Sequence, residues 1–164
     1  MSGTPRLARP DDLERVVAIY NATIPGRMAT ADLEPVSVEQ RRPWFEQRDP
    51  TRRPIWVLER GGDVAGWLSV NDFYGRPAYA ATAELGVYVA AEHQGSGVGR
   101  TLLEHAIAEA PRLAVTTYLA FVFAHNAPSI GLFERFGFAR WGDLPGVALL
   151  DGRPTDLAIL GRRV

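Results

Sequence analysis

The stretch Ala83 to Glu104, AELGVYVAAEHQGSGVGRTLLE, constrains this chain more than any other. Residues Glu84 to Val89 alternate, with β-branched Val87 and Val89 around Tyr88, and predict a strand. Gln94-Gly95-Ser96-Gly97-Val98-Gly99 follows, with glycine at every second position. Leu102, Leu103, Ala106, Ile107 and Ala110 then fall at helical spacing, so the glycine loop opens a helix. Without Cβ atoms in the way, backbone N–H groups of such a loop can converge on an anion. The helix N-terminus behind them adds partial positive charge. The pattern predicts a pyrophosphate cradle running from Gln94 to Arg100; a solvent-exposed turn capping a helix is the plainer alternative.

Two familiar phosphate loops do not fit. A P-loop needs Lys-Ser/Thr after its last glycine, and Arg100-Thr101 stands there. A dinucleotide fold needs G-x-G-x-x-G early in a βαβ unit and an acidic residue closing the next strand. Here the spacing is G-x-G-x-G in mid-chain, and the downstream strand lacks the acid.

Along the chain, Asp11 with Glu14 predicts a helix start, and Leu13, Val16, Val17 and Tyr20 carry its apolar stripe to about Asn21. Residues Ile24 to Glu34 read as loop. Ser37 and Gln40 form a second capping box, opening a short helix that Pro43 should kink or break. Ile55–Arg60 and Val64–Val70 are strands joined by Gly61-Gly62-Asp63, a hairpin signal. The apolar run Thr116 to Phe123 reads as a strand buried on both faces. Asn126 caps a helix with Pro128 in its first turn, and Gly137 ends it. Phe138–Trp141 and Asp156–Leu160 read as two closing strands.

Composition removes whole classes of chemistry. The 164 residues suit a single domain spanning 1–164, with 46% hydrophobic and 23% charged residues. There is no cysteine, so thiolate nucleophiles and disulfides are excluded. All 18 basic residues are arginine, which excludes a lysine Schiff base. A net charge of −1 gives no reason to expect nucleic acid or a membrane as partner. None of His93, His105 and His125 shares metal-ligand spacing, so no metal site is expected. His105 reads as solvated surface, and His125 is a minor candidate for a proton relay. The N-terminus lacks a basic region followed by an apolar run, and a cytoplasmic protein is expected.

Q-x-x-G-x-G after a strand resembles the coenzyme A pyrophosphate motif of the GNAT superfamily of N-acetyltransferases. Asn126-Ala-Pro-Ser129, followed by Leu132-Phe133-Glu134-Arg135-Phe136-Gly137-Phe138, is similar to the second GNAT signature. The element order resembles the GNAT arrangement: an α/β fold with a mixed, mostly antiparallel sheet of about six to seven strands flanked by about four helices. Ile19-Tyr20-Asn21, Glu34-Pro35, Arg76 through Tyr79, Thr82-Ala83-Glu84 and Val87-Tyr88-Val89 are similar to the phosphinothricin N-acetyltransferase branch.

That resemblance implies acetyl-CoA as cofactor and a small primary amine as acceptor, possessing the character of an amino acid or glutamate analogue such as phosphinothricin or methionine sulfoximine. It implies direct attack in a ternary complex. Acetylation of a peptide N-terminus or protein lysine, and a non-catalytic acyl-CoA sensor, are the alternatives. Cofactor contacts are implied for Val87, Tyr88, Val89, Gln94, Gly95, Ser96, Gly97, Val98, Gly99, Arg100, Asn126, Ser129 and Phe133. Substrate contacts are implied for Asn21, Arg76 and Tyr79, and a homodimer is expected. Glu84 is the candidate general base: a carboxylate among Ala, Leu and Val is costly unless paired or protonated, and burial raises its pKa toward neutrality. A salt-bridged structural role or a place on a solvated sheet edge is its alternative, as a surface role is for Arg76. The chain also departs from the branch. Phe133 stands where many GNAT enzymes carry an acidic tyrosine, Ala31 replaces a bulky aromatic, and Leu150-Asp151-Gly152-Arg153-Pro154 replaces K-H-G-x-W. Ala31 and Leu150–Pro154 predict an acceptor pocket of altered shape.

Overall fold

The computed structural model describes residues 3–164. A seven-stranded sheet runs in the order β1-β2-β3-β4-β5-β7-β6. Its strands are β1 Arg6–Leu7, β2 Ile55–Arg60, β3 Asp63–Asp72, β4 Thr82–Val89, β5 Thr117–Phe123, β6 Ala139–Leu150 and β7 Arg153–Arg163. The helices are α1 Leu13–Thr23, α2 Val38–Glu46, α3 Val98–Glu109 and α4 Ala127–Arg135. Every neighbouring pair is antiparallel except β4 with β5.

Two apolar layers sandwich the sheet. On one face α3 and α4 pack Leu102, Leu103, Ala106 and Phe133 against Leu68, Val70, Leu85 and Tyr118. Residue 66 is glycine because α3 comes so close: a Cβ there would lie 2.6 Å from Val98 Cγ1. On the other face α1 and α2 bring Val16, Ile19, Tyr20 and Trp44 onto Val57, Trp67 and Tyr88. The stripe expected of α1, Leu13, Val16, Val17 and Tyr20, is the face it buries.

Several expectations need correction. The first helix is opened by Asp12, whose carboxylate accepts the Arg9 N–H at 2.7 Å, and not by Asp11 with Glu14. The Ser37–Gln40 box forms as expected, but α2 continues a turn past Pro43. Its last turn closes with Gln47 N–H donating to Pro43 O at 2.9 Å. The two closing strands are far longer than their apolar cores suggest, and Leu150 to Arg153 is the tight turn joining them. Asp151 (φ 52°) and Gly152 (φ 77°) are both left-handed, the geometry an Asp-Gly hairpin turn demands. Strand β1 carries no sequence signal at two residues. His105 is half-buried, its ring edge-on to Trp56 at 4.7 Å, and burial lowers its pKa.

Candidate active site

The sheet opens beside Glu84. Strands β4 and β5 pair only from Thr82–Glu84 to Thr117–Leu119, after which they diverge. Beyond that point one edge of β4 is unpaired. Its phase follows from Ala90 N–H donating to Ala65 O at 2.8 Å. In an antiparallel ladder bonded pairs alternate, so Tyr88, Gly86 and Glu84 turn their backbone groups to β3 through Trp67, Ser69 and Asn71. Leu85, Val87 and Val89 therefore turn theirs to the open edge. The sequence grouped Val87, Tyr88 and Val89 together; the pleat separates the two valines from the tyrosine.

The opening is the wall of a cavity of about 1010 Å³. Gln94, Gly95, Gly97, Val98, Gly99 and Arg100 line it, as do Val87, Tyr88, Val89, Asn126, Ser129 and Phe133. Gly95 (φ 75°) and Gly97 (φ 86°) hold left-handed conformations, the second as N-cap of α3. The first helical bond, Thr101 N–H to Gly97 O at 3.0 Å, leaves the N–H groups of Val98, Gly99 and Arg100 without protein acceptors among the described residues. At Gly99 a Cβ would stand 3.2 Å from Leu132 Cδ2, so α4 lies directly against this turn. Free amides at a helix N-terminus, a small-residue floor and Arg100 beside them make an anion cradle that fits a coenzyme A pyrophosphate. Ser96 does not line the cavity: its hydroxyl and its N–H both donate to His93 O.

Glu84 lines the same cavity, half-buried. Its carboxylate makes no hydrogen bond or ion pair with the described residues, and desolvation raises its pKa. This is not the salt-bridged arrangement. Its side chain shares the α1/α2 face with Gly86 and Tyr88. The Tyr88 ring is stacked on Trp67 at 4.6 Å and meets the edge of Tyr20 at 5.1 Å, and burial pushes its phenol well above the usual tyrosine range.

The other predicted residues divide. Phe133 is buried edge-to-face on Phe138 at 5.0 Å. Buried Asn126 is spent on structure at both ends of its amide: Oδ1 accepts Ser129 N–H, and Nδ2 donates to Met28 O at 3.0 Å. Asn21 clasps the backbone of Val36 through both amide atoms and does not line the cavity. Arg76 and Tyr79 also lie outside the lining; Arg76 is exposed, and Tyr79 packs on Phe73 at 5.3 Å. His125 is spent on Arg27 O at 2.9 Å.

Of the roof, the sequence pointed only to Ala31, which does line the cavity. Gly26, Met28, Ala29, Thr30 and Ala31 of the α1–α2 loop close the cavity, with Phe121 and Phe123 of β5 opposite. Arg27 fixes that loop by donating to Ile24 O, Leu33 O and both Asp151 oxygens. The altered Leu150–Pro154 segment thus reaches the cavity roof through Asp151 and does not line the cavity. No group of residues that could hold a metal ion occurs among those described.

Residues 15–138 match the acetyltransferase (GNAT) family. A Bacillus subtilis (strain 168) protein provisionally named phosphinothricin acetyltransferase YwnH is 51% identical over 98% of this chain and 99% of its own. An L-methionine sulfoximine/L-methionine sulfone acetyltransferase of Salmonella typhimurium is 33% identical over 96% of this chain and 92% of its own. In three dimensions, the phosphinothricin acetyltransferase of Sinorhizobium meliloti in complex with acetyl-CoA has a TM-score of 0.94 at 26% identity, covering 100% of this chain and 89% of that one.

Proposed function

The chain belongs to the acetyltransferase (GNAT) family and is an acetyl-CoA-dependent N-acetyltransferase; from that premise we propose that it acetylates the α-amine of a small amino acid, with Glu84 as general base. The observation that carries the reading is the unpartnered Glu84 carboxylate in the cavity wall, where β4 leaves β5. The relatives named for methionine sulfoximine and phosphinothricin support the α-amino acid class.

Gly95 and the cradle residues Gly97 to Arg100 would hold the pyrophosphate, and the open β4 edge would hold the pantetheine arm. The cofactor supplies an activated acetyl thioester. Glu84, directly or through a water, accepts a proton from the substrate ammonium so that the free amine can attack in a ternary complex. The N–H groups of Val87 and Val89 are the donors aimed at the open edge, and one of them offers a hydrogen bond to the carbonyl oxygen as charge grows there. Phe133 cannot donate a proton, so the thiolate leaves unassisted, which a thiol of pKa about 8.5 allows.

The proposal extends to a cytoplasmic homodimer. Edge strand β6 exposes the apolar side chains of Trp141, Leu144, Val147 and Leu149, which supports pairing between copies. No helix among the described residues is long and apolar enough to cross a membrane. Thiol release measured against a panel of amino acids and polyamines tests the substrate class. Turnover on α-amino acids is expected, and turnover confined to polyamines or to peptide amines would overturn it.

A further inference from the structure

We propose that Arg135 binds the 3′-phosphate of coenzyme A, so that this protein distinguishes coenzyme A from its 3′-dephospho form; the inference rests on the acetyl-CoA reading above. Helix α4 turns one stripe toward the cavity. Pro128, Leu132 and Arg135 all line it, at the i, i+4, i+7 spacing of a single helical face. Leu132 anchors that stripe against the first turn of α3, since a Cβ on Gly99 would come within 3.2 Å of Leu132 Cδ2. Arg135 lies three residues further on, about 4.5 Å along the helix axis. Arg135 therefore lines the same cavity as the cradle, about one helical turn beyond the residue that packs on it.

Its surroundings leave it free. Arg135 is exposed and makes no ion pair or side-chain hydrogen bond among the described residues. By contrast Arg6, Arg15, Arg27 and Arg53 are all held by carboxylates. A cation in the last turn also complements the helix dipole, but that preference does not select the cavity-facing stripe.

Coenzyme A carries two separated anionic groups, the pyrophosphate and, one ribose away, a phosphate monoester. The amides of Val98, Gly99 and Arg100 and the Arg100 side chain serve the first, because they sit on one helical turn. The monoester needs a second cation displaced from that turn. Arg135 and Arg100 are the two arginines that line the cavity, and only Arg135 is displaced. Its planar fork matches a phosphate with two parallel hydrogen bonds, which an ammonium cannot do.

Calorimetric affinities for coenzyme A and 3′-dephospho-coenzyme A, in wild type and variants, test the assignment. Wild type should bind coenzyme A roughly tenfold more tightly than the dephospho form, the scale of one exposed charge-assisted contact. Arg135→Ala should lose that factor for coenzyme A and leave dephospho-coenzyme A unchanged, erasing the preference. Arg135→Lys should restore only part of it. Arg100→Ala should weaken both ligands by the same factor. Equal losses for both ligands in Arg135→Ala, or no loss for either, would overturn the proposal while leaving the cofactor reading intact. Failure of wild type to bind either ligand would instead overturn the cofactor reading on which it stands.

Discussion

Replacing Glu84 by glutamine separates catalysis from stability, because the structure makes the same carboxylate useful to one and costly to the other. The group is half-buried, has no partner among the described residues, and has its pKa raised by desolvation. A carboxyl whose folded pKa exceeds its unfolded value favours the native state when protonated. That contribution is complete below the unfolded pKa of about 4.3 and is lost as pH rises through the folded value. At pH 7 the ionised Glu84 therefore weakens the fold, and Glu84→Gln removes the penalty while keeping the shape. Because the site is partly solvated, the gain belongs at the lower end of the range for such relief, about 0.5–1 kcal/mol. For a chain of this size that is roughly 1–4 °C in Tm. The difference between variant and wild type should vanish near pH 4. In steady-state thiol release, kcat should fall by roughly 10²–10⁴, the contribution of a general base. The wild-type acid limb should lie above the ordinary carboxylate range and be missing in the variant, and the deficit should shrink at high pH, where the amine is already free. Full activity at pH 7 would assign proton removal elsewhere. A variant less stable than wild type at pH 7 would mean that the carboxylate is paired after all.

Gly97→Val forces a β-branched residue into φ 86° at the N-cap of α3 and displaces the amides behind it; acetyl-CoA affinity by calorimetry should fall by a few kcal/mol in a folded protein. Phe133→Ala empties a buried site against Phe138 and should cost about 3–5 kcal/mol of stability by denaturant titration, without altering the basic limb of the pH–rate profile. For Arg76, matched pairs of an amino acid and its decarboxylated amine decide whether it clamps a carboxylate. If it does in a desolvated pair, wild type should prefer the acid by roughly 2–5 kcal/mol in kcat/KM, Arg76→Ala should abolish the preference, and Arg76→Lys should recover part; equal kcat/KM for both members in wild type would remove the clamp.

What could be read beforehand was what is local. The cradle announces itself because period-2 alternation gives way within ten residues to glycines and then to helical spacing, all inside one stretch. Asn126 was legible as a cap because Pro128 and Gly137 bracket its helix. The last hairpin shows the limit. Asp151-Gly152 is a strong turn signal, yet β6 flanks it with residues exposed on both faces, interrupted by Pro145 and Gly146. An edge strand that buries little has no alternation to display, so only its apolar start near Phe138–Trp141 stood out.

The cavity roof, Ala31 apart, was hidden for a different physical reason: it is held by bonds between residues about a hundred positions apart. Asn126 reaches Met28 and Arg27 reaches Asp151, tying one loop to the start of α4 and to the β6–β7 turn. Neither loop carries a periodic pattern, and each partner has a sufficient local reason to be what it is, a cap or a turn residue. The pairing also links the two halves of the site. The same Asn126 that sets the first turn of α4, from whose face Leu132 packs on the cradle, fixes the loop that roofs the cavity. A shift of α4 on the cofactor side must therefore move Met28 or break its bond. The conformation of the roof is in this way a property of the cofactor half, which no reading of residues 24–34 alone could supply.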